Sequence, residues 1–134
     1  MEKVYRVFID YAMDTEEIAR KIIAKLNEKG NILVLLPKPG TEFDMQALME
    51  SADCYVPIIS DGSINSPSFL YNFGVFSTMA KSDGISIKPI KLTAKDIKEL
   101  PSCVYKYQWI QLEDTEKSIA DAVSFIAFHN PIIW

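Results

Sequence analysis

Cys54-Tyr55-Val56-Pro57-Ile58-Ile59, followed by Ser60-Asp61-Gly62-Ser63 and then by Ser66-Pro67-Ser68-Phe69-Leu70-Tyr71-Asn72-Phe73-Gly74, is the stretch that decides the fold. The short apolar run predicts a strand within 53–60. Asp61-Gly62-Ser63 predicts a turn. Ser66 suits a helix N-cap and Pro67 the first helical position, so a helix is expected from there to about Ala80. Phe69, Phe73, Phe76 and Ala80 recur at helical spacing as one apolar stripe. Leu70, Tyr71, Val75 and Met79 occupy the other faces and make the helix apolar almost all round. Such a helix is expected to be covered on more than one side, by its own core and by a partner, a ligand or a second copy. Asn72 is the polar exception, with Ser68 one turn earlier on the same face. Pro57 removes a ladder donor, which predicts an irregularity or an edge-like position.

Toward the N-terminus, Val4 to Ile9 predicts a buried strand ending at Asp10-Tyr11-Ala12-Met13. Asp14 and Glu17 have the spacing of a capping box for a helix whose buried face is Ile18, Ile22, Ile23 and Leu26, closed by Gly30. Asn31 to Leu36 is apolar enough for a parallel strand covered on both faces. Pro37-Lys38-Pro39-Gly40 makes a stiff turn, and Thr41 caps a short helix carrying Phe43, Met45, Leu48 and Met49. Toward the C-terminus, Lys81-Ser82-Asp83-Gly84 closes the helix and Ile85 to Leu92 predicts a fourth strand. Thr93 to Leu100 reads as a turn or two of helix stopped by Pro101, and Tyr105 to Leu112 as a fifth strand. Asp114 caps a last helix that turns Ile119, Val123 and Ile126 inward. The apolar tail Ile132-Ile133-Trp134 is expected to pack back on the domain. Strand and helix alternate throughout, so residues 1–134 are expected to form a single α/β domain. Its predicted core is a doubly wound five-stranded parallel sheet in the flavodoxin-like order 2-1-3-4-5.

The chain is 49% hydrophobic with a formal net charge of -4, which suits a folded globule and disfavours a nucleic-acid partner. No apolar run is long enough for a bilayer, and Met1 to Tyr5 leads directly into a strand, so neither a membrane span nor a signal peptide is expected. Cys54 and Cys103 lack metal-ligand spacing and His129 is the single histidine, so no metal site is expected. A reduced, cytoplasmic setting follows as the expectation.

In a sheet of this order, ligands bind beyond the carboxyl ends of the strands where the order reverses, here between the first and third strands. That crevice would be lined by Asp10, Tyr11 and Met13, by Ser60, Asp61 and Gly62, by the loop Lys38-Pro39-Gly40, and by Ser66, Ser68 and Asn72. Backbone N–H groups at Ser66 to Ser68 are candidates for holding a phosphate.

Val7-Phe8-Ile9-Asp10-Tyr11-Ala12 resembles the opening box of the Toll/interleukin-1 receptor (TIR) domains, with Asp10 replacing the usual Ser. Leu36-Pro37-Lys38-Pro39-Gly40 resembles that family's Pro-Gly loop, and the stretch from Met49 to Ser60 its third-strand box. Ser63-Ile64-Asn65-Ser66-Pro67, Ile87-Lys88-Pro89-Ile90 and Leu100-Pro101 follow in the family's order, so the resemblance covers nearly the whole chain and suits a small bacterial TIR domain. It implies one of two activities, assembly through the Pro-Gly loop and neighbouring helices or cleavage of NAD at the nicotinamide–ribose bond. Cleavage in the family rests on a glutamate one helical turn after a Trp, whose carboxylate orients the ribose and stabilises its developing positive charge. Here the Trp position is Ser68 and the Glu position is Asn72, with no glutamate between Asp61 and Asp83. Asn hydrogen-bonds but carries no charge.

The resemblance therefore implies a signalling or interaction module that associates with itself or with another TIR-like domain. It needs no cofactor, and NAD or a related nucleotide is its candidate ligand. One alternative is a TIR-type NAD glycohydrolase or cyclase with altered chemistry, Asp10 or Asp61 compensating. A nucleoside 2-deoxyribosyltransferase-like enzyme would also lack its helix Glu. A phospho-acceptor receiver domain would use Asp10 and Asp61, but the acidic pair and the fifth-strand Lys are missing.

Overall fold

The structure is a computed structural model that describes residues 4–35, 51–83, 85–92 and 110–127, without the side chains of 79–83. Strand β1 (Tyr5–Asp10) leads through a 3-10 turn (Met13–Thr15) into α1 (Glu16–Asn27) and β2 (Ile32–Leu35). Then come β3 (Cys54–Ile59), the short α2 (Asp61–Ile64), α3 (Pro67–Asp83), β4 (Ser86–Ile87), β5 (Ile90–Lys91), β6 (Ile110–Gln111) and α4 (Glu116–Ala127).

Every described strand pair is parallel. The strands lie in the order β2-β1-β3-β5-β6, with β4 also on β3. Because β4 and β5 are two pieces of the strand predicted at 85–92, this is the expected doubly wound order. The split has a cause in the sequence. On that side of β3, the Tyr55 carbonyl accepts from Lys88 N–H at 2.9 Å and the Ile59 carbonyl from Leu92 N–H at 2.8 Å. Pro57 stands midway between them in the alternation, so its missing donor falls on the same side. The ladder lapses there and resumes at Ile58↔Ile90. Pro57 thus causes the expected irregularity but does not sit at an edge. It lies in the central strand, paired on its other side with Asp10 of β1.

Side chains alternate faces along β3. Cys54, Val56 and Ile58 join Val7 and Ile9 against Ile18, Ile22 and Leu26 of α1 and Ile119, Val123 and Ile126 of α4. Tyr55 and Ile59 join Phe8 on the other face, against Phe69, Phe73 and Phe76 of α3. The Tyr55 ring stacks on Phe76 at 4.0 Å between centroids, and Phe73 meets Tyr55 edge-on at 6.1 Å. Asp10 follows Phe8 by two residues and so shares the α3 face.

Several local expectations are corrected. Asp14 lies inside the 3-10 turn, and the α1 N-cap position, Thr15, makes no side-chain capping bond, so the Asp14–Glu17 capping box does not form. At α4 the capping oxygen belongs to Thr115, which accepts from Ser118 N–H at 3.1 Å, while Asp114 pairs with Lys21 at 3.0 Å. Asp61-Gly62-Ser63 is a helical turn, closed by a capping box between Ser60 and Ser63. Among the described residues β2 is an edge strand, and Leu33 is 48% exposed rather than covered on both faces. Helix α3 runs past Ala80 to Asp83. The predicted helices at 41–49 and 93–100, the strand residues 105–109, the loop Lys38-Pro39-Gly40, Cys103, His129 and the tail lie outside the described residues. Among the described residues no helix is long and apolar enough to cross a membrane.

Candidate functional site

The carboxyl ends of β1 and β3 and the start of α3 converge on Asp10. Parity puts its side chain on the face where α3 packs, and the β1–β3 register sets it beside Pro57. Tyr55 Oη donates to Asp10 Oδ2 at 2.7 Å. Asn72 Nδ2 approaches the same oxygen at 3.4 Å. Asn72 is only 7% exposed although it is polar, and it sits there because Phe69, Phe73 and Phe76 fix the rotation of α3. Burial pushes the Asp10 carboxyl up from 3.8 to about 6, against the opposing pull of the Tyr55 and Asn72 hydrogen bonds. Burial also raises the Tyr55 phenol far above its ordinary value, and the Asp10 charge adds to the rise. The chemistry available is that of a carboxyl group holding or releasing a proton near neutrality, beside an uncharged amide.

A second cluster stands on the same rim. Asp14 Oδ1 accepts from Ser60 Oγ at 3.0 Å and Asp14 Oδ2 from Gly62 N–H at 2.9 Å. The loop after β1 is thereby tied to the loop after β3. A Cβ on Gly62 would run into the Asp14 carboxylate, so glycine permits the approach.

The residues predicted to line the crevice divide accordingly. Asp10 and Asn72 meet directly. Ser60 is buried and its hydroxyl is committed to Asp14 and Ser63. Asp61 is exposed and its carbonyl accepts from Asn65 Nδ2 at 2.7 Å. Tyr11 packs against the α1–α4 side, away from Asp10. Ser66 caps α3, its hydroxyl within 3.4 Å of Phe69 N–H and 3.1 Å of the exposed Ser68 hydroxyl. Of the backbone donors named for a phosphate, Ser66 N–H donates to the Ser63 carbonyl at 3.0 Å and Pro67 has no N–H to offer.

Two site residues went unpredicted. Tyr55 reads as one more apolar position of a strand, and Asp14 reads as a helix cap. The signal available for Tyr55 was its hydroxyl, since a buried Tyr needs a hydrogen-bond partner.

A groove of about 870 Å³ lies elsewhere, between α1 and α4. Its charges cancel, with Lys21, Lys25 and Lys29 facing Glu28, Asp114 and Glu116. It holds none of the crevice residues, so the switch-point crevice remains the candidate site.

Comparison with known proteins bears on the fold. No protein-family model matches the chain, and no curated protein matches it in sequence. Among solved structures, it superimposes on the TIR domains of the activated Roq1 resistosome directly recognising the pathogen effector XopQ, with a TM-score of 0.57 and 14% identity. The match covers 68% of this chain and 59% of that one. The fold is TIR-like. It also superimposes on a fungal multi-domain GH3 β-N-acetylglucosaminidase described as having a GCN5-related glucosamine N-acetyltransferase region, with a TM-score of 0.60 and 14% identity. That match covers 94% of this chain but 14% of the other. At these identities the likeness concerns architecture alone, since one fold hosts many functions.

Proposed function

We propose that the chain is a TIR-like interaction module that associates with itself or with another TIR-like domain. In this reading its crevice takes a nucleotide but lacks the helix carboxylate on which NAD cleavage rests in the family the chain resembles. The observation that carries this reading is Asn72. At the helix position where the resemblance expects glutamate, the side chain is an uncharged amide, buried and turned onto Asp10. No charged residue lies between Pro67 and Thr78 on α3. An oxocarbenium-like centre at the mouth of the crevice would find no helix carboxylate to stabilise it. Assembly is supported by the exposed aromatic Tyr71, 69% accessible on α3, and by a structural neighbour that is itself part of a resistosome.

Asp10 favours one other reading, in which the cleaving charge has moved from the helix to the strand. Nicotinamide release from NAD, followed by chromatography at high protein concentration, separates the two. Our reading expects no release by the native chain. Steady release that is lost in Asp10→Asn would establish the other. The gain-of-function control is the pair Asp10→Ser with Asn72→Glu, because Asn72→Glu alone would set a second carboxylate against Asp10 and the two would share a proton.

A further inference from the structure

The carboxylate of Asp10 is partly buried without any described cation to balance it. The ion pairs among the described residues are Arg20–Glu16 and Lys21–Asp114, both elsewhere. Of the elements around Asp10, β3 presents the neutral phenol of Tyr55 and α3 presents Asn72. Of the charged side chains described on the same rim, Asp14 and Asp61 are acidic, and Lys91, in register with Ile59 one strand beyond β3, is not among the two hydrogen-bond donors to Asp10.

The hydrogen bonding is lopsided as well. Oδ2 of Asp10 takes both donors, and Oδ1 takes none from the described residues. Asn72 directs its amide nitrogen to Asp10, which leaves its side-chain carbonyl without a described partner. No side-chain polar atom among the described residues is both sealed from solvent and unpaired. The two oxygens without a described partner are therefore reached by solvent.

We propose that Asp10 and Asn72 form an acceptor pair that takes the cationic part of a small organic ligand at the carboxyl edge of β1. The proposal rests on the nucleotide-pocket reading for its choice of dinucleotide probes and adds what the site selects. Burial raises the Asp10 carboxyl to about 6, so near neutrality it still holds part of a proton. A ligand cation replaces that proton, so binding releases it and strengthens as pH rises through this range. A neutral ligand of the same shape leaves the charge unbalanced and gains no such advantage.

The test uses two pairs of probes that differ in ring charge, NAD+ with NADH and 1-methylnicotinamide with nicotinamide. Binding is followed by NMR through the Asn72 side-chain amide signals, in the native chain and in Asp10→Asn, which keeps an acceptor for Tyr55 and so should fold. The expected result is an approximately tenfold preference for the cation in each pair at pH 7.5. The preference should shrink at pH 5 and vanish in Asp10→Asn. If NAD+ and NADH bind equally well, the nucleotide pocket stands and charge selection is overturned. If 1-methylnicotinamide binds through Asp10 while neither dinucleotide does, charge selection stands and the nucleotide reading falls. If neither pair shows a preference for the cation, or if the preference persists in Asp10→Asn, the proposal is overturned.

Discussion

Between pH 3.8 and about 6, the folded chain holds a proton on Asp10 that the unfolded chain has released. Stability from this group is therefore fully present below pH 3.8, falls as pH rises, and levels off above about 6. The size of the fall is at most about 3 kcal/mol. Asp10→Asn removes the titration but keeps an oxygen for Tyr55 Oη. Urea unfolding of both proteins at pH 4 and pH 7 should show the variant gaining on the native chain as pH rises. A difference that does not change with pH would mean that Asp10 is not buried as described. Asp10 and Asn72 could both be picked out from sequence, because Asp10 closes the apolar run of the first strand and Asn72 interrupts the apolar faces of the third helix. Their contact could not. It depends on the β1–β3 register, on the parity of β1 and on the rotation of α3, which no local pattern contains. Tyr55 was missed because apolar alternation describes its ring and ignores its hydroxyl.

At the scale of elements, α3 is held by aromatic contact. Phe8, Tyr55, Phe73 and Phe76 are each 2% exposed or less, and Tyr55 lies flat on Phe76. Phe76→Ala opens a cavity under Tyr55 and should cost about 3–5 kcal/mol, read from the denaturation midpoint. A loss well under 1 kcal/mol would mean that the site collapses to refill the space. The outer face of the same helix behaves differently. The apolar pattern of α3 predicted cover on more than one side, yet Tyr71 stands 69% exposed, with Gly74 and Thr78 exposed beside it. Tyr71→Ser should leave stability within about 0.5 kcal/mol, as for surface positions without a special role. Under the assembly reading it should weaken self-association in a light-scattering concentration series. Unchanged association would remove this face from the interface. The legibility of an element followed its surroundings. The Ser66–Pro67 start of α3 was readable because capping is local chemistry. The Asp14 cap was not, because Ser60 and Gly62 compete for the same carboxylate from across the crevice.

Across the whole molecule, the doubly wound order was legible because alternating strands and helices leave few parallel arrangements. The interruption of the fourth strand was not, since it requires Pro57 to face β4 and β5 rather than β1, a matter of which side each residue's N–H takes. The fold then brings one partly buried carboxylate to the place where such sheets bind ligands, and sets an uncharged amide beside it. Site-resolved carbon NMR titration of the Asp10 carboxyl reads that arrangement out. A midpoint near 6 is expected, with the Asn72 side-chain amide signals moving in the same titration. A midpoint at the ordinary 3.8, with Asn72 unmoved, would contradict it.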